Sequence, residues 1–265
     1  DGYTLYFRPM TEAEIQEEQF WEKVERGEAA YEDYYKQDFW LSFQGDNARK
    51  HILLFGDESK SRFASQEEAA AAMTAVTVPV SLANPAENIK NIAEAARYLA
   101  AQGVRLAVFP ELSVTGYTCA DLFNNSTLLD EAENALRELA VMSGKFPSTA
   151  IVVGAPLRHG YRLLNCAVVI AGGSIRAVVP KTYIPNYNEF YEKRWFDSGH
   201  AENGTLMGAP LSTDIMLDFG GGARAAIEIC EDLWTPVPPS THHALAGAQI
   251  QLILSASDDL IGKYD

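Results

Sequence analysis

AVTVPVSLANPAENIKNIAEAARYLAAQGVRLAVFPEL, residues 75–112, decides the fold class. AVTVPVSL reads as a strand, ENIKNIAEAARYLAAQG as an amphipathic helix, and VRLAVFPEL as a second strand. Asn84 and Pro85 supply a helix cap and a first-turn proline, and Gly103 a stop. A strand, helix, strand order predicts an α/β layered fold. The pattern continues with a helix through LLDEAENALRELAVMS (128–143) and strands at AIVVGAP, LLNCAVVIAGG, SIRAVVPK, AAIEIC and IQLILSAS. Several of these runs are apolar enough to be buried on both faces. The glycines at 220–222 follow no phosphate-binding pattern and predict a hairpin turn between LSTDIMLDF and ARAAIEI.

Residues 1–73 have a different texture, with about sixteen acids and many aromatics. Around Ile15, Gln19, Trp21 and Val24 they suit an acidic amphipathic helix, so this part is expected to be a mainly helical appendage or linker. HILLF (51–55) predicts a short strand with a turn at FGDES, and the alanine-rich SQEEAAAAM (65–73) suits either a helix or a linker. The domain boundary is placed there, with 74–265 as the α/β part.

The 265 residues are 47% apolar, enough for a sizeable core, and the formal charge of −15 argues against nucleic acid or an anionic membrane as partner. Three scattered cysteines without a CxxC or Cys/His pattern give no disulfide framework and no zinc site, and fit a reducing cytoplasm. Cys119 and Cys166 are read as structural, and the adjacent His242 and His243 as a solvated helix face rather than a metal pair. No apolar run reaches the ~20 residues of a membrane span, and the start carries no signal-peptide pattern. The chain opens on Asp1 rather than methionine, which predicts a trimmed start.

Three apolar strands end on reactive side chains: Glu111 after VRLAVFP, Lys181 after SIRAVVP, and Cys230 after ARAAIEI. In parallel α/β sheets ligands gather at the carboxyl ends of strands, so the three are expected to converge. Taken singly each has an ordinary explanation: a small buried hydrophobe, a surface carboxylate, a solvated cation. Together they describe an acyl-transfer site. Cys230 lies between Glu228 and Glu231, which oppose thiolate formation, and a lysine ammonium beside it would offset them while Glu111 accepts the thiol proton. Lys181 and the N–H following Cys230 would stabilise the oxyanion formed on attack at an amide carbonyl.

FPELSVTGYTCADLF, PKTYIPNYNEFYEKRWF and IEICEDLW resemble the three catalytic segments of the nitrilase superfamily. Within it, the chain is most similar to the glutaminase domains of glutamine-dependent NAD synthetases, a likeness extended by VVGAPLRHGYRLLNCAVVIAGG and VPPSTHHALAGAQIQLILSAS and covering roughly residues 74–265. The resemblance implies an α-β-β-α sandwich, with Glu111 as base, Lys181 as stabilising cation and Cys230 as nucleophile. It further implies a glutamine pocket lined by Tyr117, Tyr187, Glu231, Trp234 and Ser257, with Glu192 steadying the lysine and the substrate amide. The plain alternative for Glu192 is a surface ion pair with Lys193 or Arg194. A homo-oligomer and an ATP-pyrophosphatase partner domain are also implied.

No SGGxDS-type loop occurs in the sequence, so ATP and Mg are expected only in that partner domain and no cofactor in this chain. The superfamily fold continues past SASDDLIGKYD with a helix and strands, so the sandwich is expected to be incomplete at its C-terminal side, with an open edge. Asp258 makes the pocket rim more acidic than in relatives. The expected function is hydrolysis of glutamine through a cysteine thioester. The alternatives are another small amide or carbamoyl substrate, or a catalytically idle interaction module.

Overall fold

The computed structural model describes residues 19, 23, 26–28, 50–53, 71–200, 202–219 and 223–257. The chain divides into two units, Asp1–Arg49 and Lys50–Asp265. In the first, Gln19 and Lys23 are helical, and Glu28 N donates to the Lys23 carbonyl at 2.8 Å to close a turn. The rest of the acidic helix expected there, the FGDES turn, most of SQEEAAAAM, the glycines at 220–222 and Asp258 lie outside the described residues.

In the second unit the strands are β1 (Lys50–Leu53), β2 (Met73–Ala75), β3 (Leu106–Val108), β4 (Ala150–His159), β5 (Arg162–Ala171), β6 (Ser174–Pro180), β7 (Asn186–Tyr187) and β8 (Phe190–Tyr191). They continue with β9 (Asn203–Leu206), β10 (Ala209–Ser212), β11 (Ile215–Asp218), β12 (Arg224–Ile229) and β13 (Ile250–Leu254). The helices are α1 (Pro85–Ala101), α2 (Ser126–Ser143) and α3 (Pro239–Leu245). A seven-stranded sheet has the order β2-β3-β4-β5-β6-β10-β9, a four-stranded sheet the order β1-β11-β12-β13, and β7-β8 is a small hairpin. The strand expected at HILLF forms as β1 and pairs in parallel with β11, so the smaller sheet draws on a segment that precedes residue 74.

The two sheets pack face to face, and strand alternation says why. Along β4 and β5, Ile151, Val153, Leu164, Cys166 and Val168 face Ile89, Ile92, Leu136 and Leu139 of α1 and α2. Their neighbours Ala150, Val152, Ala167 and Val169 instead meet Leu217, Ala225, Ile227 and Leu252 of the smaller sheet. Both faces of the large sheet are therefore buried, which accounts for its uninterrupted apolar runs. The two helices, the large sheet and the small sheet make three layers; among the described residues the fourth is the seven-residue α3, which places buried His243 against the Thr213 carbonyl and Gln251. His243 is thus a packed residue rather than part of a solvated helix face.

Helix caps follow the local chemistry. Asn84 Oδ1 accepts from Glu87 N at 3.2 Å, Pro85 opens α1, and Gly103 takes φ +84 beyond its end. In α2 the cap is Asn125, which accepts from Thr127 N at 2.9 Å, so the helix begins two residues before LLDEAENALRELAVMS.

Two expectations are corrected. AVTVPVSL is not a strand: pairing ends at Ala75, with one further bond from Val76 N to the Val108 carbonyl. Pro79 has no N–H to give a ladder, and side chains of α1 satisfy the backbone instead. Asn88 accepts from Ser81 N at 2.7 Å and donates to the Ser81 carbonyl at 2.8 Å, while Asn91 donates to the Pro79 carbonyl at 3.0 Å. Nor is the sheet parallel, because β4, β5 and β6 are successive antiparallel neighbours. Two reversals leave β6 running in the same direction as β3, so their carboxyl ends still share one edge.

Candidate active site

Glu111 stands three residues beyond β3, in a turn whose Leu112 has φ +51. The turn lies directly on β4: a Cβ on Gly154 would come within 2.1 Å of Leu112 N and 2.7 Å of Glu111 Cα. Only glycine allows that approach. Gly154→Ala is expected to displace Glu111 and to destabilise the protein by about 1–3 kcal/mol, the usual range for overpacking. The urea midpoint and the reactivity of Cys230 toward iodoacetamide would both change, and an unchanged pair of values would refute the account.

Lys181 follows β6 directly, its N–H bonded to the Asn165 carbonyl at 2.8 Å. Its side chain is 0% exposed and bridges two carboxylates, Glu111 Oε1 at 2.7 Å and Glu192 at 2.8 and 2.9 Å. Asn165 Nδ2 donates to the same Glu111 oxygen at 2.7 Å, and Ala256 N donates to the other at 3.1 Å. Tyr117 donates to Glu192 Oε1 at 2.7 Å. Glu192 is therefore no surface ion pair: it is buried on Lys181, while Arg194 pairs with Asp121 at 2.7 Å. Burial alone would lower the Lys181 pKa, but the charges of Glu111 and Glu192 together outweigh it and hold the ammonium charged. Burial likewise raises the Glu111 carboxyl, with Lys181 opposing.

Cys230 follows β12 with φ +45, in the left-handed region that a side chain with a Cβ rarely adopts. Strain of this kind concentrates at functional sites. Ser255 Oγ donates to its sulfur at 3.4 Å. Burial pushes the thiol up to about 11; the charge of Glu111 adds to this, Lys181 opposes it, and Glu192 also raises it. The resting thiol is neutral at physiological pH, so the ammonium does not make a preformed ion pair with it. The acids that oppose ionisation are also not the ones adjacent in sequence. Glu228 lies on the opposite face of β12 from core residues Ile227 and Ile229, and accepts from Ser240 N at 2.9 Å. Cys119 and Cys166 are buried, and burial raises both thiols.

A cavity of about 600 Å³ is lined by Thr182, Tyr183, Asn186, Tyr187, Lys193 and Glu231 among others; Glu111, Lys181 and Cys230 are not in its lining, which holds instead the chain neighbours Thr182 and Glu231. Tyr187 donates to Glu231 Oε2 at 2.7 Å, which raises its phenol to about 12. Of the expected pocket residues, Tyr187 and Glu231 line this cavity and Tyr117 joins the Lys181 cluster. Trp234, 62% exposed, and exposed Ser257 do not line it. Sequence reasoning missed Asn165, Asp232, Ser255 and Ala256. An amide inside the apolar run LLNCAVV was a usable signal for Asn165. Ala256 acts through its backbone, and no side chain could have announced it.

The carbon-nitrogen hydrolase profile matches residues 69–262. The chain belongs to that family. Among carbon-nitrogen hydrolases of known name, the chain is 41% identical over 199 residues to a glutamine-dependent NAD(+) synthetase of Mycobacterium tuberculosis, an alignment covering 73% of this chain and 29% of that protein. A glutamine-dependent NAD(+) synthetase of Thermotoga maritima is 32% identical over 178 residues, 66% of this chain and 28% of that protein. The chain thus spans under a third of the curated relatives it matches. Among solved structures, a glutamine-dependent NAD(+) synthetase from Cytophaga hutchinsonii superposes with a TM-score of 0.63 at 26% identity, over 72% of this chain and 31% of that one. An amidase from Nesterenkonia sp. shares the fold, with a TM-score of 0.55 at 22% identity over 71% of this chain and 65% of that one. The nitrilase-like layered fold and the membership in carbon-nitrogen hydrolases follow. Among the described residues, no helix of this family member is long and apolar enough to cross a membrane.

Proposed function

We propose that this chain is the glutamine-hydrolysing part of a glutamine-dependent NAD(+) synthetase. The observation that carries the reading is the buried Lys181 ammonium shared by Glu111 and Glu192, whose charges all act on Cys230. Such a set supplies a nucleophile, a proton acceptor and a fixed positive charge in a carbon-nitrogen hydrolase whose named relatives are glutamine-dependent.

The sulfur of Cys230 attacks the side-chain amide carbon of glutamine as Glu111 takes the thiol proton. Lys181 Nζ and the N–H following Cys230 hold the oxyanion, while Glu192 keeps the ammonium in place. The C–N bond breaks as Glu111 passes its proton to the departing nitrogen, giving ammonia and a γ-glutamyl thioester. Glu111 then deprotonates a water, the water oxygen attacks the thioester, and the C–S bond breaks. The sulfur recovers the proton from Glu111 and glutamate leaves. Because the thiol starts neutral, proton transfer accompanies attack rather than preceding it. The ammonia would amidate deamido-NAD in a synthetase domain, where ATP and Mg act.

The Tyr187–Glu231 pair supports glutamine over simple amides, since an oriented carboxylate suits an α-ammonium group. Glu231→Ala is expected to raise KM for glutamine about 10- to 100-fold, the equivalent of ~1.4–2.7 kcal/mol of lost ground-state binding, with kcat little changed. Release of ammonia from glutamine and from butyramide tests both points. No ammonia from either substrate with the wild-type chain would overturn the function, and unchanged discrimination in the variant would overturn the role of Glu231.

A further inference from the structure

Asp232 takes no part in the steps above, yet its carboxylate joins the two chain segments that carry the thiol and the ammonium. Its Oδ1 accepts from Thr182 N at 3.0 Å and from Tyr183 N at 2.7 Å, the two residues directly after Lys181. Its Oδ2 accepts from Ile229 N at 3.0 Å, directly before Cys230, and makes a longer contact with Thr182 N at 3.3 Å. Lys181 directly follows a strand of the seven-stranded sheet and Cys230 a strand of the four-stranded sheet, so one side chain spans the seam between the layers. The bond to Ile229 also closes the turn in which Cys230 is held at positive φ.

We propose that Asp232 is a positioning residue: it locks the Cys230 turn onto the Lys181 loop, and thereby sets the sulfur and the ammonium at the spacing that attack requires. The inference rests on the reading that Cys230 attacks an amide, and adds to it the group that makes the geometry persist. A carboxylate suits the task because backbone N–H groups arrive at both oxygens, and an amide could serve only one of the two sides. The residue is 1% exposed, and the bonds described to its side chain all come from backbone N–H groups rather than from a cation. Burial raises its carboxyl to about 6 even though Tyr183, Ile229 and Thr182 donate to it and the charge of Lys181 acts on it. Burying an ionised group is costly, so its retention on two backbone segments points to a requirement beyond packing.

Asp232→Asn in the full-length chain tests this. The substituted amide would keep an oxygen for Thr182 and Tyr183 but turn an NH2 toward Ile229 N, which releases the Cys230 side alone. Active sites are counted by labelling Cys230 with a chloroketone analogue of glutamine, so that turnover is expressed per competent site. The expected result is a roughly 10- to 100-fold fall in kcat, KM for glutamine within about threefold of wild type, and loss of hydrogen-exchange protection at Ile229 with Thr182 and Tyr183 still protected. Turnover per labelled site within twofold of wild type, or a loss explained wholly by fewer folded molecules, would overturn the inference. If Asp232→Asn is insoluble, Asp232→Ser releases the Lys181 side while leaving an acceptor within its own turn, and the same loss of turnover is expected. Insolubility of both variants would assign Asp232 to folding and overturn positioning. A wild-type chain that hydrolyses no amide would instead sink the functional reading on which the inference rests.

Discussion

Cys230→Ala is expected to lower ammonia release from glutamine by at least ~10⁴-fold while leaving stability in urea unfolding within about 1 kcal/mol of wild type. The size follows from the role: removing a nucleophile leaves only what binding and the charged site do for attack by water, and comparable deletions in hydrolases lower turnover by ~10⁶. Stability changes little because the sulfur is a small group at 9% exposure on a strained backbone, and alanine relieves none of the strain and opens little space. The structure adds a pH signature. With burial and Glu111 holding the thiol up to about 11, alkylation of the free wild-type protein by iodoacetamide should rise steadily from about pH 7 to about pH 10. A plateau already at neutral pH would show a preformed thiolate and contradict the neutral resting thiol, and residual turnover above roughly one part in a thousand in Cys230→Ala would remove the covalent mechanism.

Lys181→Ala should be costly in two separable ways. Turnover is expected to fall by about 10²–10³, the effect of removing one oxyanion donor, with KM for glutamine little changed because the charge matters most in the transition state. Stability should fall by about 3–5 kcal/mol, because Glu111 and Glu192 remain buried with their shared cation gone. The sign of the pH dependence is fixed by the same geometry. Without Lys181 the Glu111 carboxyl, already raised by burial and no longer opposed by the lysine charge, moves further above its unfolded value. The folded variant then binds protons more tightly than the unfolded chain, and its stability is greatest at acid pH and falls as pH rises through the folded pKa. The deficit relative to wild type should therefore shrink from about pH 7.5 to about pH 5 in urea unfolding. Equal deficits at both pH values would mean that the carboxylates are not buried against each other, and wild-type turnover in the variant would take lysine out of the mechanism.

Much of this site was legible in the sequence because each reactive residue closes an apolar run. VRLAVFPE, SIRAVVPK and AAIEIC each signal a strand by composition and a functional end by one abrupt polar residue. The caps of the first long helix were equally local: Asn84 and Pro85 act on residues within one turn. AVTVPVSL misled because strand propensity ignores position. Only the neighbours show that Pro79 interrupts the ladder and that Asn88 and Asn91 serve that backbone instead. The parallel sheet failed for a related reason, since apolar runs buried on both faces carry no sign of strand direction.

The environment of the thiol lay beyond sequence altogether. Glu228 and Glu231 flank Cys230 in the chain, and strand alternation alone would put Glu228 and Cys230 on one face; the positive-φ turn at Cys230 breaks that register, so the sulfur joins the core beside Ile227 and Ile229 while Glu228 accepts from Ser240 N. Glu111, which does act on the thiol, is held by Asn165 from 54 residues away, by Lys181 from 70 and by Ala256 from 145. The sequence by itself determined which side chains end which strands, since hydrophobic alternation and caps are local properties of the chain. Only the tertiary structure decided which of the many acids meet the buried Lys181 ammonium, and how far burial and Glu111 raise the Cys230 thiol. Burial and charge separation are properties of distance in space, and packing one sheet on another sets those distances.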